Sequence, residues 1–257
     1  MKIVDQRLLE SIEAIARRAG NAIMDIYARD FSVEEKDDKS PLTEADKAAH
    51  NIIVRELAER QDGIPVLSEE DVDGFDGPDA KGRYWLVDPL DGTKEFIKRN
   101  GEFTVNIALV TQGRVVLGVV VAPALQTAYA AALGLGAYKR KADGTRQRIH
   151  AAAKPALGET WRVVGSRSHP SRALQAWLNR LGKHELHPMG SSLKLCLVAE
   201  GKADVYPRLG PTSLWDTGAA QAVVEQAGGC VAQLDGTPLN YANPKQTLNP
   251  HFVVWGR

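Results

Sequence analysis

Cysteine is almost missing from this chain: 257 residues contain two, Cys196 and Cys230. Both lie in apolar stretches, Leu195-Cys196-Leu197-Val198 and Gly229-Cys230-Val231-Ala232, where small buried thiols are commoner than bridges. A single disulfide between them also fits the sequence. A cysteine-dense secreted scaffold does not. Excess charge is missing too, since Lys plus Arg and Asp plus Glu number 32 each. No global field therefore draws the chain to nucleic acid or to an anionic membrane. No uninterrupted apolar run approaches the ~20 residues that span a bilayer. The charged start, Met1-Lys2-Ile3-Val4-Asp5-Gln6-Arg7, lacks a signal peptide's apolar core. The expectation is a cytoplasmic protein with no transmembrane segment. Repeats, low-complexity tracts and coiled-coil heptads are absent as well.

What is present reads as alternating helices and strands. Leu8, Ile12, Ile15, Ala19, Ile23 and Ile26 recur at helical spacing. A short strand around Val33 runs into a polar loop, Asp37-Asp38-Lys39-Ser40-Pro41. Thr43 is placed to cap a helix reaching Leu57, with Asp46 at the capping-box position. Ile64-Pro65-Val66-Leu67 and Tyr84-Trp85-Leu86-Val87 read as strands, each ending in acids. Thr104–Thr111 and Arg114–Val121 read as strands turned by Gln112-Gly113, the second buried on both faces. Thr127–Ala131 leads to a basic hairpin, Lys139 to Arg148, whose default is a solvated face. Near residue 155 the pattern becomes α/β: strands at Trp161–Gly165 and Leu186, a helix capped by Ser171, a helix Leu193–Glu200, a short extended Val205–Pro207, an Ala/Val-rich helix Trp215–Ala227, and closing strands at Cys230 and Phe252. Residues 1–155 and 156–257 are the expected domains.

The chemistry centres on Asp88-Pro89-Leu90-Asp91-Gly92-Thr93. Two carboxylates at a strand's end, separated by a proline and followed by a glycine, can aim oxygens to one side, with the Leu90 carbonyl as a third. An Asx-type turn that merely bonds nearby N–H groups is the plain alternative. Likewise Asp46 can serve only its helix terminus, and Glu69-Glu70-Asp71 can simply face water.

Taken jointly, Thr43-x-x-Asp46, Ser68-Glu69-Glu70, Asp88-Pro-Leu-Asp-Gly-Thr93 and Trp215-Asp216 resemble the inositol monophosphatase superfamily of Mg²⁺-dependent, lithium-sensitive phosphatases. Within it the chain is most similar to the 3′(2′),5′-bisphosphate nucleotidase type, through Leu90-Asp91-Gly92-Thr93-Lys94-Glu95-Phe96, Ser166-Arg167-Ser168-His169, Gly190-Ser191-Ser192-Leu193-Lys194, Tyr206-Pro207-Arg208-Leu209-Gly210-Pro211-Thr212 and Leu248-Asn249-Pro250. The resemblance implies a two-domain layered αβαβα sandwich, an α+β or α/β fold of the inositol monophosphatase and fructose-1,6-bisphosphatase type. It implies that Glu69, Asp88 and the Leu90 carbonyl hold one Mg²⁺, and that Asp88, Asp91 and Asp216 hold another. Two or three Mg²⁺ are expected, with Li⁺ and Ca²⁺ inhibitory. Asp46, Thr93 and Glu69 are implied as catalytic, the first two activating a water. Glu69, Leu90, Asp91, Gly92, Thr93, Ser192, Lys194, Arg208 and Asp216 are implied as substrate contacts.

Arg208 and Lys194 suit a ligand with two phosphates, because guanidinium and ammonium pair with phosphate, whereas a polyol wants acceptors. The expected substrate is 3′-phosphoadenosine 5′-phosphate. Inositol or fructose bisphosphate phosphatase activity, or a non-catalytic nucleotide-sensing module, are the alternatives. His169 reads as substrate-side or structural. The resemblance permits a monomer or homodimer and an association with the inner membrane's cytoplasmic face.

Overall fold

The structure, a computed structural model, describes residues 4–35, 41–166 and 172–257. Asp5 caps helix α1 (Gln6–Tyr27) by accepting the Leu8 N–H. Leu9, Ile12, Ile15, Ala16, Ala19 and Ile23 form its buried stripe. A two-stranded ladder follows, β1 (Val33–Glu35) with β2 (Pro41–Thr43). The second strand begins at Pro41, which had read as loop. Thr43 then caps α2 (Glu44–Glu59) and closes the capping box with Asp46.

β3 (Val66–Ser68) pairs in parallel with β4 (Arg83–Asp91). After α3 (Thr93–Ile97), the strands β5 (Thr104–Thr111), β6 (Arg114–Ala122), β7 (Thr127–Ala132), β8 (Gly136–Arg140) and β9 (Arg146–Ile149) add antiparallel neighbours in chain order. Gln112 and Gly113, at φ 50° and 76°, make the tight reversal between β5 and β6. The second half contributes β10 (Trp161–Ser166), α4 (Arg172–Leu181), β11 (His184–Met189), α5 (Leu193–Ala199), β12 (Val205–Arg208), α6 (Leu214–Gln226), β13 (Cys230–Gln233) and β14 (Phe252–Trp255). Their five-stranded sheet has the order β11-β10-β12-β14-β13.

Alternation along each strand sorts side chains into layers. Trp85, Val87, Val105 and Ile107 face α1 and α2. Tyr84, Leu86 and Ala108 share a core with α5, α6 and one face of the second sheet. Val163, Val205 and Val253 face α4 on that sheet's far side. The result is the αβαβα sandwich expected.

Three local expectations are corrected. The acid motif is not a turn after a strand: β4 runs through it, with an irregularity in register between Asp88, opposite Asn106, and Asp91, opposite Thr104. Proline is tolerated there because the ladder is already broken. Cys230 is exposed and unbridged, because β13 is an edge strand, while Cys196 is buried. The basic hairpin is not wholly solvated, since Lys139 pairs with Glu200, Arg140 with Glu13 and Arg146 with Glu10. Lys39, Ser40, Arg167, Ser168, His169 and Ser171 lie outside the described residues.

Candidate active site

Asp88, Asp91 and Asp216 each bring a carboxylate oxygen within 4.8 Å of the others. They reach this point from different places: the bulged end of β4 supplies two, and the first turn of α6 the third. Each is held the same way, by one backbone N–H on one oxygen. Asp88 Oδ1 accepts from Leu90 N at 3.1 Å, Asp91 Oδ2 from Ser192 N at 2.5 Å, and Asp216 Oδ2 from Ser213 N at 2.8 Å. Glu69 follows β3 and stands beside Asp88 and Asp216. Its turn is anchored by the buried Ser68, whose Oγ lies 2.9 Å from His50 Nδ1 on α2.

Such crowding of acids has an electrostatic consequence. Burial, then the charges of Glu69, Asp91 and Asp216, push the Asp88 carboxyl well above the carboxylate range. Asp216 is pushed up to about 7, chiefly by burial and then by Asp91. Asp91 rises by burial, opposed by Lys194 and the Ser192 N–H. Asp88 Oδ2 is buried and meets no donor among the described residues. The Glu69 carboxylate beside it could bond only if one of the two carried a proton. An all-oxygen set of shared carboxylates with an orphaned lone pair fits hard divalent cations, Mg²⁺ among them.

Next to the acids, Gly92 adopts φ 92°. There a Cβ would meet the Glu102 carbonyl at 3.1 Å, so glycine suits the corner on both counts. The corner delivers Thr93, whose Oγ1 lies 3.3 Å from Asp46 Oδ1 and 3.4 Å from the Leu90 carbonyl. Asp46 Oδ2 meanwhile accepts from Thr43 N and Oγ1 at 2.7 and 2.6 Å. Asp46 is thus both a helix cap and the partner of Thr93, and the two readings of it are compatible.

A cleft of about 220 Å³ opens over this cluster, and Glu69, Asp91, Gly92, Thr93, Lys194, Arg208 and Asp216 line it. Lys194 is only 7% exposed; its Nζ donates to the Ser191 carbonyl at 2.5 Å. Burial lowers its ammonium to about 8, against the pull of Asp91. Arg208 Nη2 donates to the Pro211 carbonyl, while Arg208 Nε is buried with no acceptor among the described residues. Ser192 lines the cleft too, but its hydroxyl is occupied by Asn106 and Thr104. Sequence reasoning missed those last two. Their signal was two polar residues, two apart, within an apolar strand.

Residues 5–252 match the Inositol monophosphatase family. The chain belongs to that family. CysQ of Escherichia coli O157:H7, a 3′(2′),5′-bisphosphate nucleotidase, is 50% identical over 250 residues, which cover 96% of this chain and 99% of that one. The crystal structure of CysQ from Bacteroides thetaiotaomicron, a bacterial family member, superposes with a TM-score of 0.83 at 40% identity and covers 99% of both chains. The Thermotoga maritima IMPase aligns with a TM-score of 0.78 at 27% identity, over 98% of this chain and 92% of that one. Mg²⁺ dependence is general in the family, in keeping with the acid cluster.

Proposed function

We propose that this protein is a 3′(2′),5′-bisphosphate nucleotidase that hydrolyses 3′(2′)-phosphoadenosine 5′-phosphate to AMP and inorganic phosphate. One observation carries the reading: an oxygen-only acid cluster, the buried ammonium of Lys194 and the half-buried guanidinium of Arg208 share a single cleft. The first half of that pairing suits the phosphoryl group to be cleaved, and the second suits a remote phosphate. The similarity to CysQ points to the same substrate.

In this reading residues 1–155 carry most metal ligands, and residues 156–257 supply Asp216 and the substrate contacts. Glu69, Asp88, Asp91, Asp216 and the Leu90 carbonyl would hold two or three Mg²⁺, with Li⁺ and Ca²⁺ inhibitory. Bound there, Mg²⁺ supplies charge neutralisation for the phosphoryl oxygens and acidifies water. Thr93 Oγ takes a proton from the attacking water as its own passes to Asp46 Oδ1, the atom it already faces. The water oxygen bonds to phosphorus as the P–O3′ bond breaks, and the leaving oxygen takes a proton from solvent water to become the 3′-hydroxyl. Gly92 and Thr93 offer backbone N–H groups to the phosphoryl oxygens. Arg208, whose Nε meets no acceptor among the described residues, pairs with the remote phosphate and so selects a bis-anionic ligand.

Turnover of the bisphosphonucleotide, inositol monophosphate and fructose 1,6-bisphosphate with Mg²⁺ tests the assignment. The first should be hydrolysed fastest, and a marked preference for inositol monophosphate would overturn it. Arg208→Glu should reduce kcat/KM for the bisphosphate by about 100-fold or more, the scale of a lost charge-assisted phosphate contact. A monophosphate substrate should suffer much less.

A further inference from the structure

We infer that Asn106 is a positioning residue for Asp91, set at the end of a directional hydrogen-bond relay that joins strand β5 to the start of α5. Thr104 Oγ1 lies 2.9 Å from Ser192 Oγ, Ser192 Oγ donates to Asn106 Oδ1 at 2.9 Å, and Asn106 Nδ2 reaches Asp91 Oδ2 at 3.4 Å. Their direction is determined by counting protons. Ser192 has one hydroxyl hydrogen and gives it to Asn106, so at the first link Thr104 must be the donor. The amide orientation is determined as well, because turning it over would set Oδ1 against a carboxylate. Every donor in the series points toward Asp91.

All three side chains are buried: Thr104 is 0%, Asn106 1% and Ser192 2% exposed. Around them Val105 and Ile107–Val110 of β5 are apolar, and buried polar groups there are costly unless they are fully paired. The β4 irregularity places them where they are needed. Asp88 stands opposite Asn106 and Asp91 opposite Thr104, so that Pro89 and Leu90 face Val105 alone and the Asn106 amide reaches back across the step to Asp91. Together with the 2.5 Å bond from Ser192 N, the relay holds Asp91 Oδ2 and so fixes the orientation in which this carboxylate joins Asp88 and Asp216. Holding the ligand's orientation through its second oxygen is what outer partners of metal ligands do. It also ties the large sheet to the start of α5 beside the acid cluster.

This inference rests on Asp91 being a metal ligand. It is tested by titrating Mg²⁺ against the thermal midpoint of the full chain without substrate, and against activity, for wild type, Asn106→Leu, Thr104→Val and Ser192→Ala. Asn106→Leu keeps the volume and removes the amide. We expect its Mg²⁺ midpoint to rise about 10–100-fold in both readouts, with KM for the nucleotide at saturating Mg²⁺ little changed. Ser192→Ala keeps the N–H on Asp91 but cuts the relay, so a smaller rise in the same direction is expected, as for Thr104→Val. It also replaces Asn106→Leu should that chain fail to fold. Unchanged Mg²⁺ midpoints in the folded variants, or equal losses in KM and Mg²⁺ affinity, overturn the assignment. A wild type whose midpoint ignores Mg²⁺ would instead overturn the metal-ligand reading itself.

Discussion

Asp91 has two duties. Oδ2 is held by Ser192 N and Asn106, while the carboxylate as a whole joins Asp88 and Asp216 at the shared centre. Replacing it separates the cost of the site from its use. Asp91→Asn removes a buried carboxylate that its surroundings disfavour in charged form, so the metal-free thermal midpoint should rise. The Mg²⁺-dependent rise in that midpoint should shrink, and kcat should fall by at least about 100-fold, beyond the loss typical of an outer partner. Circular dichroism melts with and without Mg²⁺, beside steady-state kinetics, check both. A less stable metal-free variant with near-normal turnover would remove the account of the cluster. The carboxylates themselves were legible in the sequence because an acid pair around proline and glycine is a local pattern. Asn106 was not, since its meaning comes from an Asp and a Ser that only the fold brings to it.

Helix α6 must lie very close to the large sheet to deliver Asp216. A Cβ on Gly118 of β6 would fall 2.1 Å from the Ala219 carbonyl oxygen, and one on Gly218 would fall 2.8 Å from Leu86 Cδ2. Ala108, Ala131, Ala219 and Ala222 complete this thin seam. Gly118→Ala should therefore push α6 outward and cost about 1–3 kcal/mol, the usual overpacking range. For a chain of this size that is roughly 2–4 °C per kcal/mol in Tm. More Mg²⁺ should be needed for half-maximal activity, because Asp216 moves with the helix. A loss of stability with unchanged Mg²⁺ dependence would show that the seam supports the fold alone. α1 was readable from its period, α2 from its cap, β5 and β6 from their long apolar runs and α6 from its Ala/Val-rich stretch ended by Gly228-Gly229. β2 and α3 were not, as one is three residues and the other five. Elements that short are decided by their neighbours.

Across the whole molecule the acid cluster links stability to pH and metal. Unfolded aspartates titrate near 3.9. Folded Asp216 holds its proton to about 7, and Asp88 and Asp91 are raised as well. The native state then binds more protons than the unfolded one between these values. The cluster's contribution is full below about pH 4 and is lost as pH rises through about 7. Lys194, lowered to about 8, binds fewer protons when folded and acts above this window. Mg²⁺ takes over the role of the protons at higher pH, so its stabilisation should be larger at pH 8 than at pH 5.5. Differential scanning calorimetry at both pH values, with metal and with chelator, measures it. An equal Mg²⁺ effect at both would contradict the assigned electrostatics.

The sequence by itself determined which chemistry is available here. Residue types, the spacing of the acid motifs and the periodicity of the longer elements are properties of short stretches, so they can be read one stretch at a time. Only the tertiary structure decided where that chemistry points. Ser192 and Asp91 are 101 positions apart, and Thr104 and Ser192 are 88 apart. They meet because a step in the β4 register and a glycine-lined seam under α6 set the final angles. Register and close approach arise from packing between distant elements, and no local pattern encodes which oxygen of a carboxylate will face the centre.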